Sequence, residues 1–381
     1  MAGGRGVTAP GLEPPVLVLL GGPSAEHDVS VVSGTAVADA LRDAGARVES
    51  VLIDLHGAWW FLPADHRRDG RPAAAYDDPA ALGARGPIGI GSAMAELAGR
   101  PEPPVVFIAL HGPFGEDGTI QAVLEAAGLP YTGSGVAASA LGMDKALFKR
   151  MCRGLGLPLM DWREVRASRW RADRAGIAAE LTAFAASGDD PRLMVKPARL
   201  GSSVGMSLVH ALPELDAALD TAFHYDDLAL VERYLAGARD LEVSVIGNDP
   251  ATLEVYGPGE VISGREFYDY AAKYTPGLSE TSTRAEVTPE QRALLHKLSR
   301  DVYRAIGAEG FGRVDFLISD DRIVVSEINT IPGFTPISLF PTMPADGGYE
   351  FADVCRRIVD LALERHAARP LARLSAGDLP R

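Results

Sequence analysis

Residues Glu327 to Ser338 read Glu-Ile-Asn-Thr-Ile-Pro-Gly-Phe-Thr-Pro-Ile-Ser, and no other stretch concentrates as much potential chemistry. Glu327 and Asn329 stand two apart, after an apolar run through Ile323, Val324 and Val325 that reads as a buried strand. Side chains two apart in a strand share a face, about 6.6 Å apart along the chain. Two oxygen-bearing side chains so placed suit a hard divalent cation such as Mg²⁺. Upstream, Gly312 to Ile318 reads as a second strand, and Ser319-Asp-Asp-Arg322 has turn chemistry. Closing that hairpin brings Asp315 within about one residue of Glu327 and sets Arg313 on the same face. Three oxygen ligands beside an arginine are the equipment of phosphoryl transfer. The plainer alternative is an exposed hairpin with scattered acids.

Other residues invite paired readings. Lys196 ends an apolar strand, where a lysine must be paired or face a ligand. Gly201-Ser-Ser-Val-Gly205 follows it, a loop able to fold over phosphates or merely to turn. It is not a Walker loop, because the lysine precedes it and no helix follows. Lys145, within Met143-Asp-Lys145, is either a surface residue or a further phosphate ligand. His111 beside a glycine-rich turn and Glu26 in a first helical turn lie just past strand ends, where open α/β sheets bind ligands. Glu116 and Asp117 read as turn and cap residues. Gly333 can offer a backbone N–H to an oxyanion or make a turn. Ser338 can bind a carboxylate or cap the next segment. Tyr268, Asp269, Tyr270, Lys273 and Tyr274 form an aromatic, charged loop, either packed or a lid.

The elements that must position these residues can be read from pattern. Val16 to Leu20 is an apolar strand ending at Gly21-Gly22, and a helix capped by Ser24 runs to about Asp43. Val48 to Leu52 and Val105 to Leu110 are further strands. Asp117 caps a helix with Ile120, Val123, Leu124 and Ala127 on one face. Such alternation predicts a parallel α/β sheet over 16–134, after a Gly/Pro-rich disordered arm at 1–15. A second unit, 135–230, opens with a continuous helix from Val136 to about Leu155. It continues with strands at Leu193–Pro197, through Val209 and at Leu228–Glu232, and Thr182 to Pro191 reads as an exposed connection. A last unit, 231–368, holds Leu241 to Ile246, a helix from about Pro289 to Ile306, the hairpin and a closing helix from about Phe351. A disordered tail follows at 369–381.

The chain has 381 residues, enough for two or three cores. A net charge of −14 argues against nonspecific nucleic-acid binding but leaves room for a nucleotide in a local basic pocket. Two cysteines, Cys152 and Cys355, offer no disulfide framework and fit a reducing compartment. No apolar run near the start is long enough for a membrane span or signal core. Gly21-Gly22-Pro23 does not supply the G-x-G-x-x-G of a nicotinamide-dependent dehydrogenase.

Taken in order, Gly21 to Ser30, His111 to Gly118, Tyr131 to Val136, Met143-Asp-Lys145, Val195-Lys-Pro197, Gly201 to Gly205, Phe267 to Tyr274, Gly312-Arg-Val-Asp315 and Glu327 to Ser338 resemble the D-alanine–D-alanine ligases of the ATP-grasp superfamily. The likeness runs from about Val16 to Leu363. It implies a three-domain fold, an N-terminal parallel α/β (preATP-grasp) domain followed by two α+β domains that clamp ATP. It implies ATP-dependent joining of two D-alanines in the cytoplasm, with two Mg²⁺ ions, Mn²⁺ as a substitute, and a homodimer. By the same resemblance, Lys145, Lys196, Ser202 and Ser203 hold phosphates, Glu232 and Leu235 read adenine, Asp240 takes the ribose, and Lys273 approaches the γ-phosphate. Asp315, Glu327 and Asn329 bind metal. Glu26, with His111 near it, takes the first D-alanine; Arg313 and the Gly333 N–H stabilise the acyl centre; Ser338 with Leu339 takes the second D-alanine. Tyr274 links to Ser202 and Glu26. Departures from the family pattern are Asp240 for the usual glutamate, Ala122 for glycine, Arg284 before Ala285, and Pro336 where a polar residue is commoner. Rivals are a D-alanine–D-lactate or D-alanine–D-serine ligase, the former disfavoured by the lid tyrosine Tyr274, and a noncatalytic ATP-binding regulator, which would have lost a metal ligand or Arg313.

Overall fold

A computed structural model of the chain describes residues 14–264, 279–320 and 322–368. Lys273, Tyr274 and the rest of the expected lid, and all but two residues of the expected arm and the whole tail, lie outside those residues. Apolar runs build the first sheet from β1 (Val16–Gly21), β2 (Val48–Ile53), β3 (Trp59–Phe61), β4 (Arg85–Ile88) and β5 (Val105–Ile108), in the order β4-β3-β2-β1-β5. β1, β2 and β5 are parallel as expected, with Val16 opposite both Val48 and Val105. β3 and β4 extend one edge antiparallel, so the sheet is mixed. Every residue of β1 and β5 is buried, as strands covered on both faces require. Its helices are α1 (His27–Asp43), α2 (Ile90–Ala98) and α3 (Thr119–Ala126). Gly21 turns the chain from β1 toward Glu26 at φ 83°, and a Cβ there would lie 2.4 Å from the Ile53 carbonyl oxygen, so only glycine fits.

The helix expected from Val136 to Leu155 is broken into α4 (Val136–Met143) and α5 (Lys145–Gly154). Asp144 leaves helical geometry and its carboxylate accepts from the Ala146 and Leu147 N–H groups at 3.0 and 2.9 Å. An N-cap of this kind restarts the helix with Lys145 as its first residue. β6 (Trp162–Arg166), α6 (Ala167–Ala172), α7 (Arg174–Ala186), β7 (Leu193–Pro197), β8 (Ser207–Val209), α8 (Leu215–Tyr225) and β9 (Leu228–Arg233) follow, the strands forming an antiparallel sheet β6-β9-β7-β8. Thr182 to Pro191 is not wholly an exposed connection: it starts as the last turn of α7, with Phe184 and Ala185 buried. Phe184 holds that turn down, the guanidinium carbons of Arg163 and Arg233 lying 4.3 and 4.4 Å from its ring centroid.

The third sheet, β12-β11-β10-β13-β14, is antiparallel and comprises β10 (Arg239–Ile246), β11 (Glu254–Ser263), β12 (Ser279–Ser282), β13 (Phe311–Ser319) and β14 (Arg322–Asn329). In β13 Val314, Phe316 and Ile318 are buried, while Arg313, Asp315 and Leu317 alternate to the other face. α9 (Pro289–Ala305) packs on this sheet and starts from a capping box between Thr288 and Gln291. α10 (Leu339–Thr342) and α11 (Phe351–Ala368) complete the described chain.

α11 does not stay with the third sheet. Its Val354, Cys355, Ile358, Val359 and Leu361 share one core with β1, β2 and β5 and pack beside α1. Arg365 locks this return: its guanidinium donates to the Tyr131 carbonyl at 2.8 Å and to the Gly133 carbonyl, and lies 4.2 Å over the Tyr131 ring. Arg365 is 5% exposed, so removing it strands two buried carbonyls. Arg365→Leu is expected to destabilise the chain by about 2–4 kcal/mol, read as a lower urea midpoint at unchanged slope.

Candidate active site

The three sheets meet at a cavity of about 360 Å³. Of the described residues singled out from the sequence, Glu26, His111, Lys145, Lys196, Ser202, Ser203, Glu232, Leu235, Asp240, Arg313, Asp315, Glu327, Asn329, Gly333 and Ser338 all line it. Leu339 does not: it is buried with Val261 and Met343 at the start of α10. Lys273 and Tyr274 lie outside the described residues.

The hairpin supplies the floor. Asp315 pairs directly with Glu327, and Arg313 with Asn329, across β13 and β14. Arg313 grips Asp315 with two hydrogen bonds, Nε to Oδ1 and Nη2 to Oδ2, both 2.7 Å. A second carboxylate, Glu242 on β10, stands 3.2 Å from the same Nε. Burial opposes the Arg313 charge, but Asp315 and Glu242 outweigh it and hold the guanidinium well above its usual range. Asn329 Nδ2 donates to Asp315 Oδ2 at 2.9 Å. Glu327 lies 3.3 Å from Lys145 Nζ, which also donates to the Leu200 carbonyl at 2.8 Å. Two carboxylates and an amide on adjacent strands, with no soft ligand among them, fit a hard divalent cation. Turning the Asn329 amide over presents its oxygen beside the two acids.

One wall is ionic. Lys196 Nζ lies 2.9 Å and Lys149 Nζ 3.1 Å from one oxygen of Glu232, a carboxylate buried at the end of β9. Burial pushes Glu232 up, but the two ammonium groups overcome it and hold the carboxyl below its ordinary value. Ser202 and Ser203 of the neighbouring loop sit at φ 50° and 56°, the left-handed region that costs non-glycine residues energy. That conformation turns Ser202 Oγ onto Glu26.

The opposite end is built from the first sheet. Glu26 follows the turn after β1, and its carboxylate lies against Gly112 and Gly201, where added Cβ atoms would sit 2.6 and 3.1 Å from Oε2. His111 is buried between Ser33 Oγ, 2.9 Å from Nε2, and the Ile331 carbonyl, 3.2 Å from Nδ1, with Glu116 Oε1 3.5 Å from the same nitrogen. Two acceptors at Nδ1 fix the proton there. Burial pushes the imidazole down, but Glu116 and Glu26 carry it above its ordinary value. Burial pushes Glu116 up, opposed by its bond to His111. Ser338 Oγ accepts from the Thr335 N–H at 3.1 Å and lies 2.8 Å from Thr335 Oγ1, close to Gly333.

Three charged residues of this assembly were not singled out from the sequence as site residues. Glu242 follows Asp240 by two in a strand, so same-face alternation was the available signal. Lys149 follows Lys145 by four in a helix, the same kind of signal at helical period. Glu116 was read only as a turn residue, and nothing local shows that it will be drawn under His111.

Family profiles for the D-ala D-ala ligase N-terminus and the D-ala D-ala ligase C-terminus match residues 15–134 and 151–360. A D-alanine–D-alanine ligase of Heliobacterium modesticaldum is 37% identical, covering 96% of this chain and 98% of its own. The D-alanine–D-alanine ligase structure from Coxiella burnetii superposes with a TM-score of 0.75 at 30% identity, over 92% of this chain and 96% of that one. The VanG D-Ala:D-Ser ligase structure from Enterococcus faecalis gives 0.76 at 29% identity, over 91% and 99%. Matched along nearly its whole length by both halves of the family and by relatives above 30% identity, this chain belongs to the D-alanine–D-alanine ligase family.

Proposed function

We propose that the protein joins two D-alanines into D-alanyl-D-alanine for peptidoglycan precursors, in the cytoplasm, with ATP cleaved to ADP and phosphate. The observation that carries this reading is the single cavity that unites an ionic lysine wall, a hard-cation floor and two amino-acid ends. A carboxylate resists attack by an amine, so the first D-alanine carboxylate attacks the γ-phosphorus of ATP, giving D-alanyl phosphate and ADP. The unprotonated amine of the second D-alanine then attacks the acyl carbon, phosphate leaves with the C–O bonding pair, and the nitrogen loses a proton.

Each residue has a role in that sequence. Lys145, Lys196 and the Ser202–Ser203 loop receive the phosphates, and Glu232 and Leu235 face the adenine. Asp240 takes the ribose, one methylene shorter than the usual family residue. Lys273 and Tyr274, from the sequence resemblance, approach the γ-phosphate and close over Ser202 and Glu26. Asp315, Glu327 and Asn329 would hold Mg²⁺, two ions by the family resemblance, or Mn²⁺; bound there, the metal neutralises phosphate charge. Glu26 takes the ammonium of the first D-alanine, supported by Ser202 and by His111 behind it. Arg313 and the Gly333 N–H face the oxygen that gains charge at the acyl centre. Ser338 and the adjoining Leu339 backbone take the carboxylate of the second D-alanine.

D-Alanyl-D-serine formation is the second reading, favoured by the likeness to the D-Ala:D-Ser ligase structure. A noncatalytic ATP-binding regulator on this fold is disfavoured, since Arg313, Asp315, Glu327 and Asn329 are all present and assembled.

Incubation with ATP, Mg²⁺ and equal D-alanine, D-serine and D-lactate near neutral pH is expected to give D-alanyl-D-alanine as the dominant product by mass spectrometry. A dominant mixed product would overturn the assignment of the second substrate, and no ATP-dependent product would favour the regulator. Glu327→Ala is expected to lower kcat by about a thousandfold with an unchanged circular dichroism spectrum, since it removes a ligand of the reacting phosphates' counter-ion. Retained turnover would remove Glu327 from the metal site. Glu26→Gln keeps the shape but not the charge, and is expected to raise KM for one of the two D-alanines by about tenfold or more while KM for ATP holds.

A further inference from the structure

We propose that Lys149, which does not line the cavity, is a positioning residue whose buried ammonium sets the net charge of the wall that receives the nucleotide phosphates. The inference rests on the assignment of Lys196 and Glu232 to the nucleotide.

Asp144 restarts the helix so that Lys145 is its first residue, and Lys149 lies one turn further on the same face. Lys145 reaches the cavity. Lys149 is only 1% exposed and ends 3.1 Å from Glu232 Oε1. Lys196 arrives at the same oxygen, at 2.9 Å, from β7 on the other side of the ionic group. Burial pushes the Lys149 ammonium down, opposed by Glu232; the Trp162 ring lies 5.5 Å from Nζ to centroid, and burial pushes the Cys152 thiol up to about 11.

Charge counting then gives the consequence. Lys196 with Glu232 alone is a neutral pair, and a phosphate approaching Lys196 also meets the repulsion of the Glu232 carboxylate. With Lys149 added, the group carries a net charge of +1, and the glutamate orients Lys196 without cancelling it. Burying an ammonium is costly, and an apolar side chain of like volume would fill the space at lower cost. What the lysine adds is therefore its charge, delivered through Glu232 to a site it never touches.

The test compares ADP with adenosine by titration calorimetry on the full chain, because the two ligands share their base and sugar and differ in charge. Lys149→Met is expected to weaken ADP by about tenfold while adenosine stays within about twofold. The double variant Lys149→Met/Glu232→Gln removes one positive and one negative charge, and is expected to return the ADP-to-adenosine affinity ratio to that of the unmodified chain. By the same count the single variant leaves a balanced Lys196–Glu232 pair and the double variant restores the net charge of +1, so the double variant carries the test if the single one does not fold. Equal weakening of both ligands by Lys149→Met, or a double variant whose ratio stays as low as the single one, would overturn the inference and leave Lys149 a packing residue. An unmodified chain that binds ADP no better than adenosine would instead overturn the nucleotide assignment of the wall.

Discussion

The seating of Phe334 in the core of the first sheet is the contact on which the site depends. Its ring lies 5.6 Å from Phe107 of β5, 5.8 Å from Phe311 of β13, 5.6 Å from Phe340 and 5.7 Å from Phe351. One aromatic side chain thus joins the first sheet, the third sheet and the two final helices, with rings tilted or edge-on as aromatic quadrupoles favour. The chain immediately around it carries the function: Ile331 reaches His111 through its carbonyl, Gly333 and Ser338 line the cavity, and Glu327 and Asn329 lie just upstream. A loop so far along the chain could not otherwise be registered against Glu26. Arg365, gripping the Tyr131 and Gly133 carbonyls, fixes the same union from the far end of α11.

Lys145, Lys196 and Arg313, bases that line the cavity, are each engaged by an acid. Lys145 faces Glu327, Lys196 shares Glu232 with Lys149, and Arg313 lies between Asp315 and Glu242. Buried charges must be paired, and these side chains form a set of internal salt bridges. The arrangement selects its ligand. A bare polyanion would release the bases only by leaving the acids exposed to it, and a bare cation would do the reverse. A polyphosphate accompanied by a hard cation satisfies both sets at once, the acids turning to the cation and the bases to the phosphates. The chain's formal charge of −14 is no obstacle, because the complementarity is local.

Local pattern made the hairpin legible. Alternation in β13, the turn at Ser319 to Arg322 and the two-residue spacing of Glu327 and Asn329 all act within about twenty residues, the range over which side-chain period fixes a face. The break at Asp144 was not legible because the apolar pattern runs through it; only the cap bonds reveal it. Trp59–Phe61 and Arg85–Ile88 are too short for periodicity to register, so the antiparallel edge of the first sheet went unseen. The apolar stripe of α11 was plain, but not its partner, since an amphipathic helix does not encode which sheet it covers. The family resemblance, not pattern, gathered Lys145, Lys196, Glu232 and Ser338 into one site. It passed over Glu242, which lines the cavity beside Arg313, and Lys149, which stands behind Glu232.

The second amino-acid end shows where selectivity must arise. D-alanine, D-serine and D-lactate share a carboxylate, so a hydroxyl that recognises it cannot separate them. Ser338 would suit such a constant role: Thr335 donates its N–H to Oγ and shares a hydroxyl bond with it, which fixes the Ser338 side chain. Pro336 has no N–H to add, and Ile337 is 84% exposed, so this loop offers little further polar contact to a substrate side chain. Discrimination between an amine and a hydroxyl nucleophile therefore falls at the other end of the second substrate, beside the acyl carbon. There the local charge, set by Arg313, Glu242 and the acids around them, would determine how readily an ammonium loses its proton. A cavity rich in carboxylates favours the ammonium, and a cation held by Asp315, Glu327 and Asn329 would shift that balance toward the free amine. Selectivity between an amine and a hydroxyl nucleophile would thus rest on the charge network, whereas D-alanine and D-serine, both amines, would have to be told apart by the space around the side chain.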